Sequence, residues 1–179
     1  FSYVLHASFF NFLISISLFY TLKKLELEIN YCFFYSITLS LVAYTNSGTP
    51  FLDQHSMIFS LIAVFFLIIG VKENKNIYLF FIPIFLFFGF LSKQTPAAYF
   101  ILLIVFLTIF YLISNFSYKK ITTIFFSILL CILFFLFFLY INEIKIMSFV
   151  EQYIIFPSTI GEKRIPDYLY PLEFKRYFL

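Results

Sequence analysis

Two short polar clusters interrupt a chain that is otherwise apolar. One is Asp53-Gln54-His55-Ser56, preceded by Thr49-Pro50-Phe51-Leu52; the other is Lys93-Gln94-Thr95-Pro96. Together they offer an acid, an imidazole, an amine and two amides. A carboxylate can hold a divalent cation or polarise a hydroxyl acceptor, and a lysine beside an amide can hold a phosphate. Charge next to hydrocarbon is costly and ordinarily has a partner or a task. Each residue also has a plain structural account. Asp53 at a helix start offsets the N-terminal dipole. Lys93 at a helix end suits the negative pole and can snorkel to the interface. Thr95-Pro96 is an ordinary helix start, and His55 alone reads as a satisfied polar residue. The chemical reading rests on Asp53, His55, Lys93 and Gln94 sharing one surface.

The elements that position these clusters are membrane helices. Hydrophobic residues make up 63% of the sequence and charged residues 12%, and the mean hydropathy is +0.99. A soluble fold cannot hide that much apolar surface. A helical span needs about 20 apolar residues, with roughly 17 to 25 tolerated. Six apolar segments fall near 1–22, 29–44, 54–71, 77–91, 96–114 and 121–141. The second and fourth are short, and Pro83 lies inside the fourth. Helices are required, because an open strand in lipid leaves its backbone polar groups unpaired. The expected fold is therefore all-α, a polytopic bundle of about six spans over 1–142. An interfacial helix and outer loop over 143–179 complete it. Cys32 and Cys131 lie inside apolar runs and read as packing residues. The chain opens at Phe1 inside an apolar run, with no basic n-region or cleavage site, and reads as an internal piece of a larger protein.

The connectors set an expected orientation. Lys23, Lys24, Lys72, Lys75, Lys119 and Lys120 lie on one side; Lys93, Lys145 and the distant basic residues of the tail lie on the other. Short lysine-rich loops stay in the cytoplasm. The 46–53 loop, the 92–96 loop and the tail then face outward, with His6 near the same outer surface. Asn115-Phe116-Ser117 fits the glycosylation pattern but falls on the cytoplasmic side and is set aside.

The tail differs in character. Glu143 to Phe156 alternates polar and apolar residues, as an interfacial helix does, and Pro157 is expected to end it. Beyond it, Lys163-Arg164 forms a basic pair in an outward loop. Such a pair can hold phosphate, and more commonly it is solvated or touches headgroups.

The succession Thr49-Pro50-Phe51-Leu52-Asp53 at a helix start, followed by Gly89-Phe90-Leu91-Ser92-Lys93-Gln94-Thr95-Pro96, resembles membrane glycosyltransferases of the GT-C type. The similar branch contains lipid A aminoarabinose transferases, protein O-mannosyltransferase relatives and Rgt-type sugar transferases. Asp53 matches that branch's acidic helix start, and Lys93 with Pro96 matches its later turn. Gln94-Thr95 departs from the commoner Lys-Gly-Pro, which lengthens the spacing to Pro96 by one residue. The resemblance covers residues 1 to 165. It implies an integral protein of the inner membrane that transfers sugar from a polyprenyl-phosphate donor to a lipid, glycan or protein acceptor on the periplasmic or exterior face, often with a divalent metal. Asp53 and Lys93 would be catalytic, with Asp53 also the candidate metal ligand. His55, Gln94, Lys163 and Arg164 would bind substrate. The branch's first acidic motif is not found here, so these 179 residues are expected to be inactive alone. Membrane lipids are the other expected partners, and nucleic acid is not among them.

Two rivals stand beside this reading. A transporter or flippase fragment would favour charges at mid-membrane and broken helices, whereas these polar groups lie at the edge. A non-catalytic membrane subunit would leave Asp53 and Lys93 pointing apart.

Overall fold

The computed structural model describes residues 2–43, 52–157 and 159, all of them helical or in tight connectors, with no strand. The helices are α1 Ser2–Lys24, α2 Ile29–Ala43, α3 Leu52–Glu73, α4 Asn76–Ser92, α5 Gln94–Ser114, α6 Tyr118–Ile141 and α7 Ile146–Val150, which runs on into a π-helical turn, Glu151–Ile155. Four segments are long and apolar enough to cross a membrane: Val4–Lys24, Leu52–Glu73, Gln94–Ser114 and Tyr118–Ile141. Helices also form at the second and fourth apolar runs, but they are shorter. α2 has 15 residues and α4 has 17. At 1.5 Å per residue these reach about 23 and 26 Å, against a hydrocarbon core of about 30 Å.

The chain divides into two compact units, the first ending at Cys131 and the second beginning at Ile132, within α6. In the first unit α3 is central and packs against α1, α4 and α5, its most extensive partner being α4. Ala63, Leu67, Leu79, Ile82, Leu86, Ile104 and Tyr111 form one buried cluster; Phe10, Ile14, Ile58, Ile62 and Phe65 form a second. The α3–α4 contact is close because small residues line it. A Cβ added at Gly89 would lie 3.0 Å from the Ser60 hydroxyl oxygen and 3.2 Å from the Ser56 carbonyl oxygen. One at Gly70 would meet Leu79 at 3.2 Å and Tyr78 at 3.3 Å. Small residues allow this approach where burial of apolar surface cannot drive it.

Pro83 sits inside α4. Its missing N–H and its ring disturb the carbonyls of the preceding turn. Ser127, fully buried on α6, donates its hydroxyl to the Phe80 carbonyl of α4 at 2.6 Å. Large apolar side chains on α5 and α6 stay exposed, among them Leu102, Phe106, Phe110, Phe125 and Phe137. Patches of that size need an apolar covering, and four helices of this length and composition are compatible with a membrane.

Three connectors turn on a single non-glycine residue with positive φ: Glu26 at 66°, Asn74 at 54° and Glu143 at 55°. The last corrects the expected tail helix. The left-handed residue at 143 closes α6 in a tight turn, so the following helix starts at Ile146 rather than at Glu143. Within the second unit, Phe149 packs edge-on against Phe135 at 4.8 Å and stacks on Tyr153 at 4.9 Å. Burial pushes the Tyr153 phenol above its usual range.

Candidate functional site

α3 begins where α4 ends, because the two helices run antiparallel through the Gly89 seam. This places Asp53, in the first turn of α3, beside Lys93, which caps α4 and leads into α5. The Lys93 ammonium lies 2.5 Å from Asp53 Oδ1. One turn along the same face, the buried Ser56 donates its hydroxyl to the Lys93 carbonyl at 2.8 Å. Lys93 itself is in extended backbone, φ −159° and ψ 134°, with its N–H on the Gly89 carbonyl at 3.1 Å. The two polar clusters that the sequence separates by about forty residues thus meet at one end of the helices. Both charged side chains remain about half exposed, 46% for Lys93 and 51% for Asp53.

His55 turns inward beside this pair. It is buried, with its ring 4.3 Å from that of Phe10 and 4.7 Å from that of His6, edge to face. Its Nε2 and the Nδ1 of His6 are buried without a hydrogen-bond partner among the described residues. The adjacent Gln54 Oε1 is in the same condition. Buried polar atoms left unpaired are rare and call for a ligand, a water or a proton partner. The His6–His55 contact could not be read from sequence, because it depends on how α1 crosses α3.

Gln94 is the half-buried first residue of α5, next to Lys93, and makes no side-chain hydrogen bond among the described residues. Lys163 and Arg164 lie outside the described residues, as do 44–51 and almost all of the tail beyond Pro157. The described residues do not fit a divalent metal at Asp53. No group of three His, Cys, Asp or Glu gathers among them, and the Lys93 ammonium already occupies the carboxylate. A cation there would have to displace that ammonium.

The opposite end of the helices carries a denser ionic cluster. Glu73 accepts from Lys24 at 2.6 Å, from Lys75 at 2.8 Å and from the Tyr78 hydroxyl at 3.2 Å. Tyr78 and Tyr20 share a hydrogen bond at 3.0 Å, and Lys72 pairs with the exposed Glu26 at 3.0 Å. This end gathers the lysines that the sequence assigned to one side.

The chain matches no protein-family model, no curated protein and no solved structure in comparisons with known proteins.

Proposed function

We propose that the Asp53–Lys93 end is the acceptor and donor-phosphate site of a membrane glycosyltransferase that uses a polyprenyl-phosphate-linked sugar. The observation that carries this reading is the convergence of Asp53 and Lys93, 2.5 Å apart, where they are still accessible. A transporter reading gains no support from a charged pair at the helix ends. The reading also takes the chain to cross the membrane six times, with α2 and α4 as short spans. The paired end then faces outward and the lysine-rich end faces the cytoplasm.

In this account the lipid-linked phosphate is the leaving group of an inverting displacement at the anomeric carbon. Lys93 exchanges its contact with Asp53 for the phosphate and stabilises the charge that develops as the sugar–oxygen bond breaks. Asp53, released from Lys93, orients the acceptor hydroxyl and takes its proton as the acceptor oxygen bonds to the anomeric carbon. Gln94 and the unpaired nitrogen of His55 supply hydrogen bonds to phosphate or sugar. No step runs through a metal.

One observation favours a structural second reading. Lys93 is gripped by α3 at both its ammonium and its carbonyl, as a helix staple would be. Sugar transfer by the protein carrying this chain, measured per folded molecule, separates the two. Lys93→Ala and Asp53→Asn should lower turnover by about 10² to 10³, the usual cost of losing a contact to developing charge. Normal turnover with a lowered thermal midpoint would establish the staple.

A further inference from the structure

The α3–α4 and α5–α6 connectors meet at the lysine-rich end around a groove of about 530 Å³. Its lining includes Asn74, Asn76, Asn115, Ser117, Lys119 and Lys120, and no carboxylate. Lys120 is the unusual member. It is 5% exposed, yet its ammonium has no acidic partner among the described residues. It donates to the Tyr111 hydroxyl at 3.0 Å and to the Asn115 carbonyl at 3.1 Å, and lies 4.4 Å over the Tyr111 ring. Tyr111 in turn donates to Asn74 Oδ1 at 2.9 Å. All of these partners are neutral. A buried charge is normally compensated by an opposite one, and Glu73, the nearest carboxylate in sequence to this groove, is already held by Lys24 and Lys75.

Two further features supply positive potential in the same place. α4 starts at Asn76 with no side-chain cap on its first turn, and α6 starts at Tyr118. Free N–H groups at helix starts attract anions. Amide donors, a hydroxyl, one exposed lysine and one buried lysine match a group with several acceptor oxygens around one centre.

We propose that this groove binds a phosphate group, with the buried Lys120 ammonium as its counter-charge and Lys119 as its exposed second contact. The phosphate is carried by an anionic lipid headgroup or by a soluble phosphate ester. Exposed Phe116 and Tyr118 pack edge to face at 5.0 Å beside the groove, and tyrosine favours the headgroup level of a membrane. This inference does not depend on the sugar-transfer reading, because the groove lies at the other end of α3, α4 and α5.

The test uses the 179-residue chain in zwitterionic nanodiscs. Short-chain phosphatidylglycerol and inorganic phosphate are titrated separately at constant ionic strength, against chloride. Thermal midpoint and phosphorus NMR line width are read together. At least one of the two phosphate probes should raise the midpoint and broaden the line, while chloride does neither. A response to phosphatidylglycerol alone identifies a lipid headgroup; a response to inorganic phosphate identifies a soluble ester. Lys120→Gln should weaken the apparent affinity at least tenfold. If that variant does not fold, Lys119→Gln must weaken it at least threefold. No response to either probe, an equal response to chloride, or unchanged affinity in the variants would overturn the proposal.

Discussion

The Ser56 hydroxyl donates to the backbone carbonyl of Lys93 at 2.8 Å, one helical turn from where Asp53 holds the Lys93 ammonium. α3 therefore fixes the backbone of Lys93 separately from its side chain. Ion pairs as exposed as Asp53–Lys93 contribute about 0.2 to 1 kcal/mol, and a neutral hydrogen bond contributes about 0.5 to 1.5. Ser56→Ala should thus lower stability at least as much as Asp53→Asn. Chemical denaturation in mild detergent checks the order, and a much larger loss from Asp53→Asn would show the ion pair to be the principal tie.

Gly89 sets how closely α4 approaches α3. Its Cβ position lies against the Ser56 carbonyl, a backbone atom that cannot swing away. Gly89→Ala should cost about 1 to 3 kcal/mol, as overpacking does, and Gly89→Leu more. Because Lys93 follows four residues later, both should also lengthen the Asp53–Lys93 distance. A spin-label pair at Leu52 and Thr95 would report it, and an unchanged distance and stability would mean the seam is looser than its geometry.

At the other end, Glu73 joins three partners while its carboxylate is 17% exposed, whereas Glu26 joins one at 84%. Glu73→Gln should lower the thermal midpoint clearly more than Glu26→Gln. The gap should narrow only partly in 1 M salt, because screening acts mainly on exposed pairs. Equal losses would contradict the cluster.

Orientation is open to a direct check. Cysteines placed at Thr95 and Lys119, in a chain lacking Cys32 and Cys131, should differ in labelling by an impermeant reagent in intact cells. Thr95 should react and Lys119 should not. The reverse pattern would move the Asp53–Lys93 end to the cytoplasm.

Much of the helix order was legible because lipid demands long apolar runs, and their polar interruptions mark the ends. The meeting of Asp53 and Lys93 was legible for a related reason: two consecutive helices joined by a short connector run antiparallel, so the second returns the chain to the end where the first began. Span lengths were less so. α2 and α4 form at the expected runs yet stop at 15 and 17 residues, and apolar composition alone does not say whether such helices cross. Packing was not legible at all. Lys120 reads as one more loop lysine, and only the placement of Tyr111 and Asn115 buries it. His6 meets His55 only because of how α1 crosses α3. The late start of α7 follows from the left-handed turn at Glu143, a conformation that glutamate seldom advertises.

If Lys93 receives a lipid-linked phosphate at the Asp53 end, equilibrium binding of a radiolabelled polyprenyl phosphate to the purified 179-residue chain in nanodiscs will show it, measured for the unaltered chain and for Lys93→Ala. Binding needs no turnover, so it can be read even if the chain is inactive alone. Binding should be saturable, weaken at least tenfold in Lys93→Ala and be largely kept in Lys93→Arg. Equal binding by the unaltered chain and Lys93→Ala, or no saturable binding at all, would contradict that role of Lys93.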